Sequence, residues 1–152
     1  MQLDNLYQEV ILDHYKRPEY KSLQAEFQVA VHHLNPSCGD EITLRLSLDP
    51  QSEIQLSWDG VGCSISMASA SVMAGLLNGK TLDRAEPVLS AFIALMQSKG
   101  RADGDEELLE DGVAFSGVSK YPARIKCALL AWMAYKDAAL QIMGIKKSEG
   151  DV

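Results

Sequence analysis

The 152-residue sequence contains no uninterrupted apolar run of the roughly 18 residues that a membrane-spanning helix requires. Its N-terminal stretch mixes charged residues among the apolar ones, so it also lacks the continuous apolar core of a secretory signal. Basic residues form no block and are outnumbered by acidic residues, 14 to 21, for a net charge of −7. These absences argue against a membrane or nucleic acid as the main partner and favour a cytoplasmic protein.

Cysteine is scarce, with three residues in the chain: Cys38, Cys63 and Cys127. An odd number of cysteines in a chain without a secretory signal argues against a disulfide framework. Free cysteine is a common core residue, so the count alone favours three buried, unreactive thiols.

Hydrophobic periodicity predicts an α+β domain. Apolar residues at helical spacing over residues 2–16 predict an N-terminal helix. Alternating apolar residues then predict three strands that form an antiparallel sheet, at residues 27–31, 41–48 and 53–59. The rest of the chain is predicted to pack helices against this sheet, ending in a long C-terminal helix that begins near Pro122. Strands followed by helices are typical of the α+β class.

Three helical segments are expected between the third strand and the polar residues 99–112. Ser64 or Ser66 can cap the first of them, and Asn78 can close it. Another helical segment starts at Thr81, and Pro87 predicts that a further helix begins there, because proline is favoured in a first helical turn.

A single domain is expected over residues 1–146, because a chain of this length suits one hydrophobic core. Residues 147–152 are expected to form a disordered tail. The polar residues 99–112 are predicted to be a loop with a short acidic helix, and the sequence assigns them no role.

The three cysteines fall where predicted elements begin or end, which is where binding sites are usually built. Cys38 lies between the first two strands, and Asp40 follows two residues later. Cys63 lies between the third strand and a helix, and Cys127 lies near the start of the last helix. If the strands pair as predicted, Cys38, Asp40 and Cys63 lie at one end of the sheet. Cys127 can join them if the last helix begins there.

The predicted positions favour reactive thiols. A helix N-terminus favours negative charge, so we expect a lowered pKa at Cys63 and Cys127. Arg124 and Lys126 should add to this effect at Cys127. Three thiolates and a carboxylate are a donor set that zinc accepts, and thiolates also hold iron–sulfur clusters. Spacing alone leaves a shared metal site and separate buried thiols equally open.

Histidines are the alternative metal ligands in this sequence, namely His14, His32 and His33. His14 is more simply explained as a residue that covers a helix face. The His32–His33 pair is more simply explained as the end of an edge strand.

The amino-acid sequence around the cysteines is distinctive. Four segments occur in this order: LYQEVILDHYKRP, NPSCGDEI, GVGCSISMASASVMAGLLNGK and GVSKYPARIKCALLAW. Together they resemble the SufU branch of the IscU/NifU N-terminal family of iron–sulfur cluster assembly proteins, over residues 6–136. The resemblance implies the IscU/SufU-like fold. It also implies four metal ligands, usually for zinc: Cys38, Asp40, Cys63 and Cys127.

The resemblance further implies that Cys38 accepts sulfur from a cysteine desulfurase of the SufS type, and that Arg124 assists transfer or docking. A persulfide is attacked by a thiolate, so Cys38 must first be released from the metal. Its place on a loop between Pro36 and Gly39 suits release, and we hypothesise that a desulfurase histidine takes over its metal position. In this role the protein is a sulfurtransferase-like carrier rather than a stand-alone enzyme.

The sequence departs from the IscU branch in three places. Lys126 stands where IscU-type scaffolds carry a histidine, the segment between Cys63 and Cys127 is longer, and SKYPARIK replaces the Leu-Pro-Pro-Val-Lys chaperone signal. These departures favour sulfur transfer over the alternative, in which a transient [2Fe–2S] cluster forms on the four residues and passes to apoproteins. A third interpretation is a purely structural zinc domain. A monomer is favoured.

Overall fold

The computed structural model describes the backbone of residues 2–150 and the side chains of residues 5–145. Its strands form one antiparallel sheet in the order β1 (Val29–Asn35), β2 (Asp40–Leu48) and β3 (Ile54–Val61). The predicted three-stranded meander is confirmed. The observed strands β1 and β3 extend further toward the cysteine-bearing end of the sheet than their apolar alternation indicates.

The strand register explains why a carboxylate is buried at that end. Residues of β2 alternate between buried and half-buried positions, and Leu44 lies between Val31 of β1 and Trp58 of β3. Asp40 begins the same buried row, where it pairs with Asn35 of β1. The period of two that turns leucines toward the core therefore turns the Asp40 carboxylate inward as well.

Helices precede and follow the sheet. In chain order they are α1 (Gln2–Lys16), α2 (Ser64–Leu77), α3 (Leu82–Gln97), α4 (Glu106–Leu109), a 3-10 helix (Glu110–Lys120) and α5 (Pro122–Gly150). Helices α2 and α5 pack against each other and against the sheet, and α1 packs on α2. The predicted N-terminal helix and long C-terminal helix are confirmed. None of the helices within residues 2–150 has the length and apolar character needed to cross a membrane.

The start of α2 differs from the prediction that Ser64 or Ser66 caps it. Cys63 is the N-cap: its backbone is extended, and its sulfur accepts the Ser66 N–H at 3.5 Å. Ser66 lies inside the helix, and its hydroxyl donates back to the Cys63 carbonyl. The cap is one residue earlier than expected because β3 ends close to the helix, so Cys63 is the last extended residue. Asn78 closes the helix as predicted.

Helix α3 also corrects a prediction, because no new helix begins at Pro87 within the described chain. Thr81 caps a single helix that continues through this proline. Ala85, Val88 and Leu89 form a buried stripe on both sides of it, so packing holds the segment together. Asp83, whose carbonyl loses its helical partner at Pro87, is exposed, where water can serve instead.

The polar segment contains the predicted short acidic helix, α4, but the chain beyond it is more ordered than its composition suggests. The 3-10 helix follows directly and buries Val113, Phe115 and Val118. Helix α5 extends to Gly150, and residues 151–152 lie outside the described chain. The predicted domain bounds and tail therefore stay predictions.

Three side-chain contacts position α5. The hydroxyl of Ser69 on α2 donates to the Ala128 carbonyl at 2.6 Å and accepts the Trp132 indole N–H at 3.0 Å. On the other side, His33 of β1 lies 2.8 Å from the Asp137 carboxylate. These contacts fix α5 between α2 and the sheet, with Cys127 at the end where Asp40 begins β2.

Candidate metal centre

Four residues that the sequence predicts as ligands meet at one end of the sheet. Cys38 lies on the turn between β1 and β2, Asp40 begins β2, Cys63 joins β3 to α2, and Cys127 lies in α5. The sulfurs of Cys38 and Cys127 are 3.5 Å apart, and the Cys63 sulfur is 3.7 Å from Oδ2 of Asp40. Residues that are up to 89 positions apart in the chain thus share one site.

The turn that carries Cys38 is built on Asn35. The Asn35 carbonyl accepts the N–H groups of Cys38 and Gly39 at 3.2 and 2.9 Å. Gly39 adopts a φ of 72°, a left-handed conformation that costs glycine little. This tight reversal leads the chain into β2 while it leaves Cys38 exposed at the surface.

The Asp40 carboxylate is held by the junction between β3 and α2. Its Oδ1 accepts the Cys63 N–H at 2.9 Å, and the residue is only 1% exposed. A Cβ on Gly62 would lie 2.5 Å from Oδ1 and 2.7 Å from the Ser66 hydroxyl. Glycine at position 62 therefore makes the room that the carboxylate occupies.

Cys127 is the buried thiol of the site, at 4% exposure. Burial raises its pKa, and its contacts with Cys38, Asp40 and Cys63 raise it further. The predicted lowering at this residue is wrong, because Arg124 and Lys126 are exposed and burial outweighs the helix N-terminus. A thiolate at Cys127 therefore requires a positive charge at the sulfur itself, which a metal ion supplies.

The spacing of the donor atoms fits a tetrahedral metal. Ligand atoms of Cys38, Asp40 and Cys127 all lie within 4.8 Å of one another. Two sulfurs that are each about 2.3 Å from a tetrahedral zinc lie about 3.8 Å apart, close to the Cys38–Cys127 separation. Cys63 is not part of this close group of three, but its sulfur contacts the Asp40 carboxylate. Three thiols and one carboxylate are thus donors of the kind that zinc and iron accept.

The histidines do not join this donor set among the described residues. Their side chains pair with other groups: His14 with Ser71 and Asp111, His32 with Thr43, and His33 with Asp137. The simpler explanation of these residues, as parts of a helix face and an edge strand, agrees with these contacts.

Asn35 is a residue of the site that the sequence analysis missed. Its side chain is buried, and Nδ2 lies 3.9 Å from the Cys127 sulfur, a weak contact. The signal was present in the alternation of β1, because Val29 and Val31 place every second residue, including residue 35, on the inner face.

Arg124 lies on the exposed first turn of α5, one helical turn before Cys127. Its guanidinium stacks over the ring of Tyr121, 4.9 Å from the ring centroid. The arginine is therefore placed beside the thiols rather than among them, and its role in transfer or docking stays a prediction.

Comparison with known proteins agrees with this architecture. Residues 6–128 match the family described as the NifU-like N-terminal domain. The chain is 43% identical over 148 residues to the zinc-dependent sulfurtransferase SufU of Bacillus subtilis, covering 97% of this chain and 95% of the relative. It is 37% identical to the iron–sulfur cluster assembly scaffold protein IscU of Streptococcus pyogenes, over 90% of this chain and 84% of the relative.

A solved structure is also similar. It is described as an iron–sulfur cluster assembly scaffold protein for the SUF system, from Fervidobacterium islandicum. The TM-score is 0.78 at 32% sequence identity, and the match covers 86% of this chain and 94% of that chain.

Proposed function

The chain belongs to the NifU-like N-terminal domain family, in the SufU/IscU group of iron–sulfur cluster assembly proteins, and on this premise we propose that it is a zinc-dependent sulfur carrier. It accepts persulfide sulfur from a SufS-type cysteine desulfurase on Cys38. The observation that supports this most directly is the position of Cys38, an exposed thiol whose sulfur lies 3.5 Å from the buried Cys127.

Cys38 is the ligand best placed to leave a metal. Asp40 and Cys127 are buried, at 1% and 4% exposure. Cys63 is exposed, but its sulfur caps α2, so its movement would also cost the helix its cap. Cys38 sits on a turn, and its departure disturbs neither a strand nor a helix.

The metal-holding residues in this proposal are Cys38, Asp40, Cys63 and Cys127. Zinc bound there keeps the thiols deprotonated and brings no redox chemistry of its own. Asp40 and Cys127 are set in the buried end of the sheet, so they hold their positions when the Cys38 turn moves.

The chemical step is a thiol exchange. The Cys38 thiolate attacks the terminal sulfur of the partner's cysteine persulfide, and a new S–S bond forms as the old one breaks. The partner's cysteine leaves as a thiolate, and the transferred sulfur remains on Cys38 as a persulfide. Atoms and electrons balance without an added oxidant or reductant. Arg124, beside the thiols, supports the docked partner.

Cluster assembly is the second candidate, favoured by the same three thiols and one carboxylate and by the similarity to the IscU scaffold. Protein purified without oxygen separates the two functions. A colourless protein that contains about one zinc per chain, the content expected for a single four-ligand site, supports sulfur transfer. Brown protein that activates apoproteins supports a scaffold.

A labelling experiment tests the role of Cys38. Incubation with the cysteine desulfurase of the same organism and sulfur-labelled cysteine should place the label on Cys38, located by peptide mass spectrometry. Cys38→Ala should still bind the desulfurase but carry no label. Ser37→Ala, a change on the same exposed turn, should be labelled like the wild type. Label on Cys63 or Cys127 of the wild type would contradict the assignment.

A further inference from the structure

A cavity of about 250 Å³ lies between α1, the 3-10 helix and the start of α5. We call it the α1–α5 cavity. Its apolar lining includes Ile11, Ile65 and Val118, and its polar lining includes Lys120, Tyr121 and Arg124. A space of this size accommodates one or two side chains, and its lining suits a group that is apolar at one end and anionic at the other.

The α1–α5 cavity adjoins the candidate metal centre. Ile65 is two residues beyond Cys63 in the first turn of α2. Arg124 is three residues before Cys127, which is about 4.5 Å along the axis of α5. A protein segment seated in the cavity would therefore lie beside the thiols.

The charge at the cavity is opposite to that of the whole chain. Acidic residues outnumber basic ones by 21 to 14, yet Lys120 and Arg124 form no ion pair with any side chain of residues 5–145. Two cations that lack an internal carboxylate at one site complement an anionic group from outside.

Local packing supports both cations at the cavity. The Arg124 guanidinium lies over the ring of Tyr121, 4.9 Å from the ring centroid. The stem of Lys120 passes over Gly100, where an added Cβ would lie 2.5 Å from the lysine Cγ. The Gly100 N–H in turn donates to the Ser119 hydroxyl at 2.8 Å. The turn that contains Gly100 is therefore shaped around the lysine stem.

We propose that the α1–α5 cavity is the docking site for the sulfur-donor protein, and that it takes a segment in which a carboxylate adjoins an apolar side chain. This inference rests on the proposed sulfur transfer and identifies the surface through which the donor binds. The apolar side chain enters the cavity, and the carboxylate pairs with Lys120 and Arg124. Docking there brings the donor's persulfide to the exposed side of the site, where Cys38 lies.

A cavity-filling variant provides the first test. Gly117 lines the cavity, and an added Cβ at this position meets no atom within 4 Å. Gly117→Leu should therefore occupy the cavity without a clash and raise the Kd for the desulfurase at least tenfold. Gly144→Leu is the matched control, because Gly144 lies far along α5 and is equally open. It should leave the Kd unchanged, and both variants should keep the zinc content and melting temperature of the wild type.

A charge variant provides the second test. Lys120→Glu should also raise the Kd at least tenfold and should weaken its dependence on salt. Lys136→Glu is the charge-matched control, since Lys136 is exposed on α5 about 18 Å from Arg124 along the helix axis. The desulfurase of the same organism is the probe, and binding is measured by calorimetry separately from sulfur uptake.

Separate readouts distinguish the two proposals. If the wild type binds the desulfurase but takes up no sulfur, the proposed function fails, and the Kd values of the variants still decide the docking site. If Gly117→Leu and Lys120→Glu bind like the wild type, the docking inference is wrong. It is also wrong if these variants impair only the delivery of sulfur to an apoprotein, because the cavity then belongs to the acceptor.

Discussion

At the scale of single residues, the candidate metal centre depends on a glycine, Gly62, that has no side chain to fill the space beside Asp40. Asp40 is a buried carboxylate, and burial of a charge is costly unless it is hydrogen-bonded or paired. The Cys63 N–H provides the hydrogen bond, and Gly62 provides the space. The position of the Asp40 carboxylate therefore depends on Gly62, although Gly62 supplies no ligand atom.

Gly62→Ala should weaken zinc binding by about tenfold or more, since neighbours that orient metal ligands typically have effects of this size. The added methyl group would displace the Asp40 carboxylate and the Ser66 hydroxyl. Competition with a coloured zinc chelator measures the affinity. Gly144→Ala, at an open position, is the control and should bind zinc like the wild type. Equal affinity of both variants would show that Asp40 does not hold the metal.

At the scale of secondary-structure elements, the position of α5 decides whether Cys127 reaches the other thiols. Asp137 is one of its anchors. The hydrogen bond from His33 lowers the pKa of Asp137, and the contact with Gln141 lowers it further. This carboxylate thus favours the docking of α5 against β1 in its charged form.

Asp137→Asn should be less stable than the wild type at neutral pH, and the difference should shrink as the pH falls below about 4. An acid whose pKa is lowered by folding contributes stability above its unfolded pKa, about 3.9, and loses it as pH falls through the folded value. Urea unfolding of chelator-treated protein at pH 7 and pH 3 measures this. Asp103→Asn, in the exposed loop before α4, is the control and should show a smaller change with pH. A constant difference between wild type and Asp137→Asn would contradict the role of this carboxylate.

The helix ends also show which features of an element depend on nearby sequence and which depend on tertiary packing. A helix starts at Thr81 and another is closed by Asn78, as predicted, because helix ends depend on neighbours in the chain. Pro87 and Cys63 behave differently from the prediction, because their behaviour depends on buried packing of α3 and on where β3 ends. A proline in the second turn is tolerated when the buried face continues across it.

At the scale of the whole molecule, the candidate metal centre joins segments that are distant in the chain. The turn before β2, the start of β2, the β3–α2 junction and α5 all contribute to it. A metal that binds these four segments binds the folded state and not the unfolded one, so it stabilises the entire domain.

Zinc at a hundredfold excess over its Kd should stabilise the protein by about 2.7 kcal/mol relative to chelator-treated protein. For a domain of this size that corresponds to a rise of about 5–10 °C in melting temperature. Thermal unfolding with zinc and with chelator measures the shift. Asp40→Ala should show a smaller shift, because it lacks a ligand. Equal melting temperatures of the wild type in both conditions would argue against the metal centre.

The sequence by itself determined the local structure and the set of candidate residues. Alternation with a period of two specified the strands, and continued along β1 and β2 it places Asn35 and Asp40 on the inner face. The four segments that resemble SufU-like proteins identified the three cysteines, Asp40 and Arg124. These signals are short-range patterns, and each can be recognised without knowing the packing of the chain.

Only the tertiary structure decided how the residues meet. The 3.5 Å approach of Cys38 and Cys127 depends on the packing of α5 through Ser69 and Trp132, which no periodicity specifies. The raised pKa of Cys127 follows from the same packing, because burial rather than sequence neighbours controls that thiol. Distances between residues far apart in the chain depend on how helices and sheet fit together, and that fit is a property of the complete core.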